Sequence, residues 1–270
     1  MERLGFLDWG IGGIGIFRAF RERRPEVPVL YWSDTGATPY GRLPAAALTA
    51  RVRRVLLAMV GQGVTHALIA CNAASTILPG LGDVGIPVMG VIEPAIAMVP
   101  PALEGVLGVV GGGRTIRSGL YRRALATPRR RVIQRIAQPL SAHIEAGRVG
   151  TPAFEGDLKR ILGPLARADA ILLACTHYPS AREAFRRLAP GASLLDPAEA
   201  VVETLIARWR LPRGRGDLFV TTGLPAEMRR AARAAWGSDL GRCAAAPIGQ
   251  DDRRSGSSSS QLLLRRPAPP

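Results

Sequence analysis

The chain has 270 residues, 47% of them hydrophobic, and a formal net charge of +15; that length can bury one large core or two smaller ones. Three cysteines give no disulfide framework and argue against an oxidising compartment. Aromatic residues at 5% are too few to stack single-stranded bases, and no helix-turn-helix or zinc spacing occurs, so the dispersed arginines read as a solvated basic surface. The single lysine, Lys159, sits poorly with pyridoxal phosphate chemistry, which needs a lysine for its Schiff base. The N-terminal apolar run is broken by Asp8, and the most hydrophobic window, 84–111, is interrupted by Glu93, Pro100, Pro101 and Glu104. Neither reads as a secretory signal or a membrane span, and a soluble, cytoplasmic protein is expected.

Residues 3–8 form a predicted strand that runs into Trp9-Gly10-Ile11-Gly12-Gly13-Ile14-Gly15 and a helix over 14–23. Gly10, Gly12 and Gly15 satisfy GxGxxG, and the next strand ends in Asp34, where a dinucleotide site would want its ribose acid. A nicotinamide-dependent oxidoreductase is therefore one reading. A turn-rich loop over 35–41 follows, then an amphipathic helix over 44–62, and then a strand ending in Ala70-Cys71. A helix stopped near Pro79 and a short strand at 86–91 complete the first unit. From about residue 93 the same style of unit recurs: a strand over 106–111, a helix over 115–125, an Arg-rich strand over 130–136, and helical segments carrying His143 and Glu145 and then Phe154 to Leu165. A strand ending in Ala174-Cys175, a helix near 180–189, a strand end at 194–196, a helix to about 210, and one more strand and helix over 216–236 follow.

Strands alternating with helices predict an α/β protein with mostly parallel sheets flanked by helices. Two similar domains are expected, 1–92 with 207–246 and 93–206, with the active site in the cleft between them and a disordered tail over 247–270. Thr65–Ser75 and Asp169–Pro179 are versions of one another: an apolar run ending in Ala-Cys, a small polar residue, then a helix-like segment. Such runs read as buried parallel strands whose carboxyl ends deliver Cys71 and Cys175 into a crevice. Each cysteine alone is more simply a buried small hydrophobe; the pair in matching contexts points to two thiols sharing one cleft. A free thiol has a pKa of about 8.5, so a thiol base needs help, which a following helix N-terminus and a protonatable neighbour such as His177 would supply. No cysteine–histidine pair has zinc spacing, and no metal is expected. Cys243 has no such context.

These pieces resemble the glutamate racemases of the aspartate/glutamate racemase superfamily over about residues 4–205. The motifs are Asp8-Trp9-Gly10-Ile11-Gly12-Gly13, Asp34-Thr35 with Pro39-Tyr40-Gly41, Ala70–Ser75, Val91–Pro94, Thr115–Gly119, Ala174–Pro179 and Asp196–Ala200. The resemblance implies a cofactor-independent, two-base racemase of an amino acid, supplying D-glutamate for peptidoglycan, and a possible homodimer. One thiolate removes the α-proton from one face and the other thiol reprotonates the opposite face, Cys175 acting on the L-enantiomer and Cys71 on the D-enantiomer. It also implies that Asp8 and His177 assist the two thiols, with Glu145 near the second. Trp9, Pro39, Tyr40, Gly41, Asn72, Ala73, Ser75, Thr115 and Thr176 would line the substrate pocket. The chain departs from the family pattern at Trp9 (usually Ser), Ala37 (usually Arg), Ala73 and Gly112 (usually Thr) and Arg114 (usually Ala). Those departures remove hydroxyls from the expected clamp, put glutamate as substrate in question, and offer Arg114 as a replacement contact for a carboxylate. Another substrate within the superfamily, or a binding or regulatory protein linked to nucleic acid or gyrase, are the alternatives.

Overall fold

A computed structural model describes residues 1–246 and 248. Among these residues ten strands form two parallel sheets. The first contains β1 (Arg3–Asp8), β2 (Val29–Ser33), β3 (Val64–Ile69), β4 (Val88–Gly90), β9 (Leu218–Thr221) and β10 (Cys243–Ala245), in the order β10-β9-β2-β1-β3-β4. The second contains β5 (Gly105–Gly111), β6 (Arg130–Ile136), β7 (Ala170–Ala174) and β8 (Ser193–Leu195), in the order β6-β5-β7-β8. Every residue of β2 and β7 is buried, as expected of parallel strands covered by helices on both faces. Their near-continuous apolar sequences follow from that double burial.

The helix Ala45–Val60 shows how the cover is attached. Leu48, Val52, Val55, Leu56 and Met59 recur at helical spacing and are buried against the first sheet, each contributing about 1.5–3 kcal/mol of burial. One predicted helix is divided: in place of 115–125 there are Gly113–Ser118 and Leu120–Leu125, separated by Gly119 at φ 69°. That left-handed residue ends the first helix and turns the chain into the second. The edge strand β10 is too short to be read from its sequence. The expected disordered tail lies, Ile248 apart, outside the described residues. Among those residues no helix is long and apolar enough to cross a membrane.

In both sheets the order of strand addition reverses at the same relative place. The chain leaves β1 toward β2 on one side, while β3 and β4 lie on the other, so the switch point falls between β1 and β3. In the second sheet it falls between β5 and β7. Crevices open outside the carboxyl ends of strands at such points. Asp8 ends β1 and Cys71 lies two residues beyond β3; Gly112 follows β5 and Cys175 follows β7.

Candidate active site

The four loops meet around a cavity of about 430 Å³, lined by Cys71 and Asp8 from one sheet and by Cys175, Thr176 and His177 from the other, a volume ordinary for small-molecule sites. Asp8 is fully buried. Its carboxylate accepts the N–H of Trp9 and of Gly13, both at 2.7 Å, and the Thr176 hydroxyl at 3.3 Å. Burial raises its pKa against the opposing pull of His177, of Cys71 and of the two amides. Burial, with the Asp8 carboxylate beside it, also pushes the Cys71 thiol well above its ordinary range, despite a hydrogen bond from the Ala74 amide. Both effects favour the neutral thiol of Cys71 beside the Asp8 carboxylate.

The second thiol has opposite surroundings. His177 is 5% exposed; its Nδ1 lies 3.8 Å from the Cys175 sulfur and its Nε2 lies 2.7 Å from Glu145 Oε2. Burial pulls the imidazole pKa down, but hydrogen bonds to Cys175 and Glu145 and their negative charge outweigh it and hold the ring well above the usual histidine range. Positive charge is therefore kept next to Cys175. The expected helix N-termini behind the cysteines are much weaker than the sequence implies. A four-residue helix, Asn72–Ser75, follows Cys71, and a 3₁₀ turn, Tyr178–Ala181, begins at the residue after His177, three beyond Cys175, and runs on into the helix Arg182–Leu188. Side-chain charge carries the electrostatics here, because the first helix is a single turn and the second starts three residues beyond its thiol.

The glycines after β1 have a different job from the one GxGxxG suggests. A Cβ on Gly10 would fall 2.6 Å from Glu145 Oε2, one on Gly12 would fall 2.5 Å from His177 Nδ1, and one on Gly15 would fall 2.5 Å from the Trp236 ring. They let the loop press against the end of the helix Gln138–Glu145, the turn after β7 and the helix Pro225–Trp236. Asp34 is equally committed: it is fully buried, bonded to Arg51 Nη2 at 2.6 Å, to the Tyr40 hydroxyl at 2.7 Å and to the Thr222 hydroxyl at 2.8 Å. No oxygen is left for a ribose, and the dinucleotide reading is withdrawn on these contacts.

Residues 15–205 match the Asp/Glu/Hydantoin racemase family. The chain belongs to that family. It is 33% identical to a glutamate racemase of Beutenbergia cavernae over 88% of this chain and 90% of that one, and 33% identical to a glutamate racemase of Thermus thermophilus over 84% and 89%. The crystal structure of Thermus thermophilus glutamate racemase in complex with beta-chloro-D-alanine superposes with a TM-score of 0.79 at 28% identity, covering 92% of this chain and 96% of that one. Francisella tularensis glutamate racemase, solved with D-glutamate, shares the fold with a TM-score of 0.81 at 23% identity over 93% and 98% of the two chains.

Within this racemase-family cleft the cavity wall gathers Trp9, Pro39, Tyr40, Gly41, Asn72, Ala73, Thr115 and Thr176 beside the two thiols, Asp8, His177 and Glu145. The Tyr121 hydroxyl donates to Asn72 Oδ1 at 2.6 Å, which leaves the amide NH₂ for a ligand. Ser75 is not on that wall. Its hydroxyl donates to the Ile69 carbonyl at 3.2 Å and accepts from the Val91 amide at 3.1 Å, tying the turn after Cys71 to β4. Arg114 is also elsewhere, its guanidinium bonded to the Leu43 carbonyl in a neighbouring cavity, so the contact expected of it inside the cleft is not made. Two departures from the family pattern meet each other: the Trp9 indole N–H donates to the Ala37 carbonyl at 2.9 Å, pinning the loop before Pro39. Gln138, Ser141 and Arg42 also face the cavity. Sequence reading passed over them because polar residues on a short helix or at a turn look like a solvated face. His66 stacks against Trp209 at 5.1 Å and His143 pairs with Asp157 at 3.2 Å; both are structural. Cys243 is buried in β10.

Proposed function

We propose that the protein is a cofactor-independent glutamate racemase that uses Cys71 and Cys175 as opposed acid and base. The observation that carries this reading is the pair of thiols on one cavity wall in contrasting electrostatic settings, Cys71 hydrogen-bonded to a carboxylate and Cys175 beside a cationic imidazole. Inversion at a carbon needs a base on one face and an acid on the other, and two fixed groups supply both without large motion. With L-glutamate bound, Cys175 takes the α-proton as thiolate, and the electron pair left on the α-carbon delocalises into the carboxylate. Cys71 then gives its proton to the opposite face and becomes the thiolate, leaving D-glutamate and a Cys175 thiol. The reverse turnover exchanges the two roles.

Asp8 positions the Cys71 proton, and Glu145 keeps His177 protonated beside Cys175. Asn72, Thr115 and Thr176 hold the amino and carboxylate groups of the substrate, while Trp9, Pro39, Tyr40, Gly41 and Ala73 shape the wall. The racemase names borne by the relatives at 33% identity support glutamate as substrate, and D-glutamate made this way would feed peptidoglycan synthesis in the cytoplasm. The chain divides into domains 1–92 with 207–246 and 93–206, each contributing one thiol, and assembles as a homodimer. The reading is tested by circular dichroism of L- and D-glutamate, and of the aspartate enantiomers, incubated with the protein and no added cofactor. Decay of optical rotation to zero from both glutamate enantiomers is expected. A flat signal from folded protein with titratable thiols would refute glutamate racemisation, and decay for aspartate alone would move the substrate.

A further inference from the structure

We propose that the cavity beside the catalytic cleft is a separate binding site for a small phosphate-bearing anion, held by Arg42, Arg114 and Arg117. This cavity has a volume of about 690 Å³ and is lined by these three arginines with no aspartate or glutamate among its residues. Other partly buried arginines meet a carboxylate, as in Arg21 with Asp217, Arg51 with Asp34 and Arg182 with Asp196. Among the described residues none of the three vestibule arginines has a carboxylate partner. Arg114 is half-buried, its Nε is buried with no hydrogen-bond partner, and a single backbone carbonyl, that of Leu43, receives its Nη2. Burial, and after it the charge of Arg117, disfavour its protonated form. Arg117 folds over Gly113, where a Cβ would fall 2.9 Å from its Nη2, so the glycine leaves room for this guanidinium beside the chain.

The excess of positive charge selects the ligand class. One carboxylate would answer a single guanidinium, whereas a phosphate monoester carries about −1.5 to −2 at neutral pH and three acceptor oxygens. Guanidinium groups match such oxygens bidentately. The cavity shares Gly41, Arg42 and Gln138 with the catalytic cavity. A phosphate seated here therefore takes Arg42 and places negative charge at the cleft mouth, which opposes entry of an acidic amino acid. That second consequence rests on the racemase reading; the binding site itself does not.

The test is calorimetric titration of the full-length chain with inorganic phosphate, pyrophosphate and citrate at constant ionic strength. It is repeated for Arg114→Gln, Arg117→Gln and, as a control on another face, Arg229→Gln. One-site saturable binding is expected, tighter for pyrophosphate than for phosphate or citrate. Each vestibule variant weakens it about tenfold, the usual cost of a charged hydrogen bond, and Arg229→Gln leaves it unchanged. In the racemase assay pyrophosphate raises KM and leaves kcat alone. Absence of saturation would overturn the site, as would an equal loss in Arg229→Gln, which means diffuse charge, or tighter binding of citrate, which means a polycarboxylate site. Because binding is read directly, a protein without racemase activity still decides the question.

Discussion

Gly12→Ala puts a methyl group into the most crowded point between the two sheets. The new Cβ would lie 2.5 Å from His177 Nδ1, 2.7 Å from Thr176 Oγ1 and 2.8 Å from His177 Cε1. Ordinary contact needs about 3.5 Å, so the imidazole and the loop must separate by about 1 Å. Forcing a methyl into packed surroundings costs about 1–3 kcal/mol, which a protein of this size can absorb and remain folded. The functional cost is larger, because Nδ1 is the atom that faces the Cys175 sulfur at 3.8 Å. A displacement of about 1 Å in catalytic geometry costs on the order of a hundredfold in rate. We expect kcat/KM for racemisation to fall by about that factor, with the melting temperature lowered by several degrees. Gly156→Ala is the matched control: a Cβ there meets nothing within 4 Å, and alanine inside the helix Pro152–Leu162 should stabilise the fold by about 0.5–1 kcal/mol with activity unchanged. Steady-state kinetics and thermal melts of both variants decide. A Gly12→Ala protein with wild-type kcat/KM would show that the close approach of this loop to His177 has no part in catalysis.

Glu145→Gln keeps a hydrogen-bonding side chain but removes the charge 2.7 Å from His177 Nε2. The raised imidazole pKa therefore falls, and the alkaline limb of the kcat/KM profile moves to lower pH; an unmoved limb would mean that His177 ionisation does not govern the rate. The same group has a stability signature. Since His177 titrates above its unfolded value of 6.5, its contribution is complete below that pH and is lost as pH rises through the folded value. Melting temperature should accordingly decline on the alkaline side, and less steeply in Glu145→Gln. Asp34→Ala removes the carboxylate paired with Arg51 at 2.6 Å, an arginine whose side chain is 8% exposed, and should cost about 3–5 kcal/mol in urea unfolding. A loss below about 1 kcal/mol, the worth of an exposed pair, would show that this pair behaves as if solvated.

The parts of the cleft that could be read in one dimension are those set by local pattern. The apolar runs before Cys71 and Cys175 demand doubly covered strands, and doubly covered parallel strands demand crevices at their carboxyl ends. What escaped depends on partners far along the chain. Gly10 and Gly12 are explained by Glu145 and His177, more than 130 residues away, so a dinucleotide fingerprint fitted them equally well. Trp9 reads as the loss of a hydroxyl until its indole is found on the Ala37 carbonyl. Ser75 has the right residue type and the wrong direction, since its hydroxyl is already engaged on both sides. The one-turn helix after Cys71 could not be told from a longer one, because Asn72–Ser75 is followed by further apolar residues that continue as turns.

Division of the chemistry of one carbon between two thiols leaves a signature in L- and D-glutamate incubated with the protein in deuterium oxide. Wild-type protein, Cys71→Ala and Cys175→Ala are compared, with α-proton loss followed by NMR and configuration by circular dichroism. Wild type should place deuterium at the α-carbon with inversion from either enantiomer, and inversion should vanish in both variants. Inversion that survives removal of either sulfur, or a folded wild-type protein that exchanges neither enantiomer, would contradict the two-thiol mechanism.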